Sequence, residues 1–132
     1  MAQATTYGLT HLAIAVSNIK RTKSFYQHIF GMEVMYEEER FLQLTTPGSN
    51  DILVFEVKED AEIGHTGGIA HFGFRLKDPK DIDEVTSKVI SAGAEITESG
   101  EFVPGSPYVY FKDPDGYIIE IWYEMLPFHA LS

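Results

Sequence analysis

The chain contains no cysteine, which excludes disulfide scaffolds, thiolate zinc sites and cysteine nucleophiles together. Positive charge is scarce as well. Ten Lys and Arg stand against twenty Asp and Glu, a formal net charge of −10. Phosphate backbones are held by clustered cations that release counterions, so no nucleic-acid partner is expected. No apolar run approaches the roughly 18 residues of a membrane-crossing helix, and no membrane partner is expected either. The opening residues, Met1-Ala2-Gln3-Ala4-Thr5-Thr6, have neither a basic nor an apolar region. No secretory signal is read, and a cytoplasmic setting is the expectation.

What is present is a repeat. Thr10–Val16 is rich in β-formers and reads as a strand. Ser17-Asn18 offers a helix N-cap, and Ile19, Phe25, Tyr26, Ile29 and Phe30 form a stripe at helical spacing closed by Gly31. The same grammar returns in Ala70–Leu76, a strand opening with a histidine. There Asp78 is placed to cap, Pro79 suits the first helical position, and Ile82, Val85, Val89 and Ile90 supply an apolar face closed by Gly93. Three short strand-like runs follow each helix: Glu33–Glu37, Arg40–Thr45 and Asp51–Val57, then Ala94–Glu98, Tyr108–Lys112 and Tyr117–Tyr123. Pro47-Gly48-Ser49-Asn50 and Asp113-Pro114-Asp115-Gly116 precede the last run of each set as turns. The expected fold class is therefore α+β, with two tandem βαβββ modules at 7–58 and 69–124 whose sheets should pack together. The segment 59–68 reads as a linker and 125–132 as a tail within one structural domain.

Strand parity shows where chemistry is to be sought. Ile119, Ile121 and Tyr123 share one face of the last strand, while Ile118, Glu120 and Trp122 share the other. A glutamate inside so apolar a strand is costly to bury unless it is paired or ligates a cation. Glu56 occupies the comparable strand of the first half, 25 residues past Gly31 where Glu120 is 27 past Gly93. A histidine and a glutamate thus recur in both halves: His11 with Glu56, His71 with Glu120. Singly, each reads as a hydrogen-bonded histidine or a strand-edge glutamate; as a repeated set they point to a divalent metal. Imidazole and carboxylate suit Fe2+, Ni2+, Zn2+ or Mn2+. Two His with one carboxylate is the donor set of non-haem Fe(II) oxygenases, and two His with two Glu suits Ni or Zn chemistry.

With these residues in place, the sequence resembles the vicinal oxygen chelate superfamily, which groups glyoxalases, extradiol dioxygenases, fosfomycin-resistance and bleomycin-resistance proteins. The resemblance rests on Leu9-Thr10-His11-Leu12-Ala13-Ile14, Ser24-Phe25-Tyr26 with Ile29-Phe30-Gly31-Met32-Glu33-Val34, Gly68–Phe74, and Tyr110–Glu120. It implies two βαβββ modules forming an open cleft, and a homodimer. It also implies metal ligation by His11, His71 and Glu120. Glu56 falls where glyoxalase-like members place a fourth ligand and dioxygenases place none. In extradiol dioxygenases the residue matching Tyr110 bonds the substrate, although the histidine expected about nine residues before it is replaced near Glu101.

The implied activity is that of a metal-dependent enzyme chelating two oxygens of a small-molecule substrate, as a glyoxalase-type lyase or isomerase or as an extradiol-type dioxygenase. Glu56, Tyr110 and Glu120 are the candidate acid–base residues, and Trp122, Tyr108 and Phe111 the candidate substrate wall. The alternative is a non-catalytic drug-binding protein of the bleomycin-resistance type, which the acidity fits and the retained ligands oppose. Arg40, Arg75 and Lys112 read as scattered cations. His28, His65 and His129 read as surface residues, and Glu37-Glu38-Glu39 as a solvated turn.

Overall fold

A computed structural model describes residues 3–59 and 61–124. The expected tail at 125–132, with His129, lies outside the described residues. The chain divides into two compact units, Met1–Ala61 and Glu62–Ser132. Each is built on a four-stranded sheet, and the class is α+β.

In the first unit the order is β1 (His11–Val16), α1 (Ile19–Phe30), β2 (Glu33–Glu38), β3 (Phe41–Thr45) and β4 (Ile52–Val57). Asn18 caps α1, its side-chain oxygen accepting from the Arg21 N–H at 2.9 Å. Gly31 ends the helix at φ 63°, a left-handed turn that glycine enters without strain. Ile19, Thr22, Phe25, Tyr26 and Ile29 are buried on one stripe of the helix. The Tyr26 ring meets Phe55 of β4 at 4.9 Å between centroids. The sheet runs β1-β4-β3-β2, with β1 parallel to β4, and α1 carries the chain from β1 across to β2 at the far edge, from which β3 and β4 return. The sequence expectation of a turn at Glu37-Glu38-Glu39 gives way to a longer β2. Glu37 extends the strand by bonding Lys23 of α1 at 2.9 Å, and Glu38 accepts from the Tyr36 phenol.

The second unit repeats the pattern with β5 (Phe72–Arg75), α2 (Ile82–Ser91), β6 (Ile96–Glu101), β7 (Pro107–Lys112) and β8 (Ile118–Trp122) in sheet order β5-β8-β7-β6. Asp78 and Pro79 open a single 3-10 turn, Pro79–Asp81, rather than the α-helix itself, which begins at Ile82. The apolar face of α2 is narrower than its spacing implies: Val89 is buried, whereas Ile90 is 60% exposed. Val109, Phe111, Ile119 and Ile121 are sealed with essentially no exposure. They share one face of β7 and β8, and α2 packs on β7.

The turn between β7 and β8 is tied from both sides. One Asp113 carboxylate oxygen accepts from the N–H groups of Asp115 at 3.0 Å and Tyr117 at 2.9 Å. From the other side, Gly64 lies against its backbone, so that a β-carbon there would fall 2.2 Å from the Asp115 carbonyl oxygen.

Candidate functional site

The face of the second sheet opposite the sealed core carries the candidate site residues of this unit. Parallel pairing sets Gly73 beside Glu120 and Arg75 beside Trp122. Antiparallel pairing then sets Glu120 beside Tyr110 and Trp122 beside Tyr108, and on the outer strand Tyr110 beside Glu98 and Tyr108 beside Gly100. Side chains paired across a sheet leave by the same face. Two rows result: Gly73–Glu120–Tyr110–Glu98 and Arg75–Trp122–Tyr108–Gly100.

His71 immediately precedes β5 and is not part of it, a difference from the strand expected at 70–76. Its Nε2 lies 3.4 Å from Glu120 Oε1. Glu120 is only 8% exposed, so its carboxylate has left most of its water and needs partners. His71 is one, and the Tyr110 phenol, which donates a hydrogen bond to Glu120, is a second. The His71 and Tyr110 rings meet edge-on at 5.1 Å. Burial, then the bond to Glu120, pushes the Tyr110 phenol above its ordinary value, so it keeps its proton and remains a donor.

Gly73 makes this crowding feasible. A β-carbon at Gly73 would stand 3.0 Å from the Glu120 carbonyl oxygen, 3.4 Å from Glu120 Cβ and 3.5 Å from Trp122 Cδ1. Glycine inside a strand marks a close approach of this kind. Further along, the Tyr108 phenol donates to Glu98 at 2.6 Å, and that bond above all raises its pKa. Its ring stacks on Phe102 at 4.3 Å and meets Tyr110 edge-on at 5.6 Å. An aromatic track therefore leads from His71 through Tyr110 and Tyr108 to Phe102.

The first unit does not reproduce the pair. His11 opens β1 on the rung of Ile52, while Glu56 pairs with Ala15. They are four residues apart along the ladder, about 13 Å at ~3.3 Å per residue. His71 precedes Phe72, which pairs with Ile119, so Glu120 is only two residues beyond the level of His71. The counterpart of Glu120 in the first unit is thus Val54, opposite Ala13, and the recurrence of a matched His–Glu pair fails in register. Glu56 is instead 3.8 Å from Lys58 and borders a shallow depression of about 470 Å³ with Arg40, Phe41, Val57 and Glu59. Among the described residues, no three or more His, Cys, Asp or Glu side chains gather closely enough to hold a metal.

Of the expected substrate wall, Tyr108 and Trp122 stand on the Glu120 face. Phe111 does not: the opposite parity sends it into the sealed core with no exposure. His28 is exposed on α1, and His65 is exposed, 3.6 Å from Glu62. Gly73, Glu98 and Phe102 were not singled out by the sequence reading. Parity counted across the β5–β8 pair identifies Gly73; Phe102 has no such signal, because it follows β6 at a bend.

The profile of the Glyoxalase/Bleomycin resistance protein/Dioxygenase superfamily matches residues 8–121, and the chain belongs to that superfamily. It is 28% identical over 119 residues to a catechol-2,3-dioxygenase of Bacillus subtilis (strain 168), covering 86% of this chain and 41% of the dioxygenase. The chain thus spans about two-fifths of that relative's length. It is 26% identical over 117 residues to the metallothiol transferase FosB of Shouchella clausii (strain KSM-K16), covering 86% of this chain and 78% of FosB. Among solved structures, the fosfomycin resistance protein FosX of Listeria monocytogenes superposes with a TM-score of 0.77 at 22% identity, over 92% of this chain and 97% of FosX. That likeness is one of fold. Enzymes that act on small molecules are named among the relatives, and no helix among the described residues is long and apolar enough to cross a membrane.

Proposed function

We propose that this protein is a divalent-metal-dependent enzyme acting on a small molecule that presents two neighbouring oxygens. His71 and Glu120, both of the second unit, serve as ligands. The observation that carries the reading is the Glu120 carboxylate, buried in an apolar strand with His71 Nε2 at 3.4 Å. Donors bound at about 2.0–2.2 Å to one cation stand roughly 3.0–3.5 Å apart, so the pair fits without rearrangement. FosX of Listeria monocytogenes has been crystallised with Mn(II), which is consistent with a hard cation on nitrogen and oxygen donors.

Glu56 is not taken as a ligand, because its rung is four residues from that of His11, whereas Glu120 is two residues from the level of His71. An imidazole with a carboxylate serves both Fe(II) oxygenases and Ni or Zn lyases, so ring cleavage by dioxygen and glyoxalase-type isomerisation are the two chemistries this reading carries. When bound, the cation polarises the oxygens it chelates. The chain's own contribution is positional. Tyr110 holds its proton and fixes the Glu120 carboxylate by donating to it, and Trp122 and Tyr108 offer flat faces on which the substrate lies. The same reading makes the protein a cytoplasmic homodimer.

The test is turnover by metal-stripped protein reloaded with Fe(II), Ni(II), Zn(II) or Mn(II). Catechol with dioxygen and the hemithioacetal of methylglyoxal and glutathione serve as the two probe substrates. Oxygen uptake with the Fe(II) form alone supports ring cleavage, and isomerisation with Ni(II) or Zn(II) favours a lyase. Protein that binds cationic drugs tightly, takes up no metal and turns over neither substrate would be a sequestering protein.

A further inference from the structure

The sequence offers three arginines, and the fold treats them differently. Arg21 bonds the Ser17 hydroxyl at 2.7 Å, and Arg40 bonds the Val57 carbonyl at 3.3 Å and Glu59 at 3.3 Å. Among the described residues Arg75 makes no hydrogen bond or ion pair, and it is exposed. Its place is specific. It pairs with Trp122, two residues along β5 from Gly73, and so leaves the sheet by the face that carries Glu120, Trp122 and Tyr108.

The other cation that strand parity brings to this face, Lys112, is 3.9 Å from Glu95. In a chain of net charge −10, a guanidinium without a partner among the described residues, on the same sheet face as a buried carboxylate, needs an explanation. A residue serving only solubility would more simply be acidic.

We infer that Arg75 is the anchor for a carboxylate carried by the substrate, at the end remote from the two chelated oxygens. Arg75 lies about 7 Å along the strand from the Gly73–Glu120 rung, at ~3.3 Å per residue. That separation and the reach of the side chain match an acid with a few carbons between its chelating oxygens and its carboxylate. Trp122 and Tyr108, on the Arg75 row, flank that chain. A planar guanidinium meets a carboxylate with two parallel N–H···O bonds, which sets orientation as well as affinity. One cation also matches one negative charge. A phosphonate dianion would leave half its charge facing Glu120 and Glu98. The substrate class is thus a small carboxylic acid bearing vicinal oxygens.

This inference rests on the reading of His71 and Glu120 as ligands, and the experiment separates the two. Calorimetric titration of Mn(II)-loaded protein uses three probes: 2-oxoglutarate, its 5-amide, and 4-phosphono-2-oxobutyrate. Each is titrated into wild type, R75Q and R75K, with metal content measured on every sample. Wild type is expected to bind the acid about 10–100-fold more tightly than the amide, the range of a hydrogen-bonded charge pair. R75Q is expected to keep its metal and lose that preference, and R75K to recover part of it. Equal binding of acid and amide by metal-loaded wild type overturns the assignment of Arg75 while leaving the ligands in place. Preference for the phosphonate over the acid overturns the carboxylate. A change only in oligomeric state on R75Q would make Arg75 a guard of the β5 edge and overturn the anchor. If wild type takes up no metal, the ligand reading fails, and the acid–amide comparison on metal-free protein still decides Arg75.

Discussion

Replacing Gly64 by alanine isolates how tightly the segment leading into β5 is fastened to the turn after β7. The added β-carbon would sit 2.2 Å from the Asp115 carbonyl oxygen and 3.3 Å from its carbon. Ordinary C···O contacts begin near ~3.3 Å, so about 1 Å must be recovered by moving backbone against backbone. No flexible side-chain end is available to yield. Overpacking of that kind costs about 1–3 kcal/mol. Gly64 also holds φ at +82°, where an L-residue is strained by about 1–2 kcal/mol. The unfolded chain becomes less flexible, which offsets roughly 0.4–1 kcal/mol. The net expectation is a loss of about 2–4 kcal/mol.

Gly67→Ala is the matched control, since Gly67 is left-handed at φ +57° but a β-carbon there meets nothing within 4 Å. Only strain and entropy act on it, for a loss of about 1 kcal/mol or less. Urea unfolding followed by circular dichroism reads both variants, and the thermal midpoints should fall by a few degrees per kcal/mol. Equal losses for Gly64→Ala and Gly67→Ala would refute the contact with the turn.

Gly73→Ala should keep the fold but push Glu120 and Trp122 by a few tenths of an ångström, because the new carbon meets them at 3.0–3.5 Å. Divalent-metal affinity is expected to fall about tenfold or more, the usual effect of disturbing the shell around a ligand, and an unchanged affinity would contradict the role given to Gly73. Glu98→Gln should lower the Tyr108 pKa toward its ordinary value of 10.0, because the bond to Glu98 is the main cause that raises it. Phenolate absorbance against pH reads this directly. The sign for stability follows from the same shift: the neutral phenol is favoured in the fold, so its contribution is present below pH ~10 and is lost as pH rises through the raised value. Glu98→Gln should therefore reduce stability at neutral pH relative to strongly alkaline pH, and a loss that grows with alkalinity would have the wrong sign.

The repeat was legible because its signals are local. Asn18, Gly31 and Pro79 each dictate a backbone conformation on their own, and alternation in Tyr117–Tyr123 assigned Glu120 and Trp122 to one face before any pairing was known. Register was not legible in the same way. Counting from Gly31 and Gly93 sets Glu56 two residues before the place that matches Glu120, whereas strand pairing sets it two residues beyond, and in a sheet two residues preserve the face while moving the side chain nearly 7 Å along it. Glu56 therefore kept the right parity and the wrong rung, and Val54 holds the place that corresponds to Glu120. Phe111 was misplaced for a simpler reason: aromatic character was weighed where parity should have been, and it alternates with Tyr110 into the core. Arg75 looked scattered because its neighbours, Trp122 and Tyr108, are far away in sequence and are brought beside it only by β8 and β7.

The most direct test of the account is metal stoichiometry in protein purified without chelator or affinity-tag metal, measured for wild type, His71→Ala and the exposed-histidine control His28→Ala. Removing one partner of the His71–Glu120 pair takes away a donor and leaves the fold of the sheet intact. The account predicts about one divalent ion per chain in wild type and in His28→Ala, and none in a folded His71→Ala. Metal retained in full by His71→Ala, or absent from wild type under every add-back, would make the buried Glu120 and its histidine a structural pair and contradict the central claim.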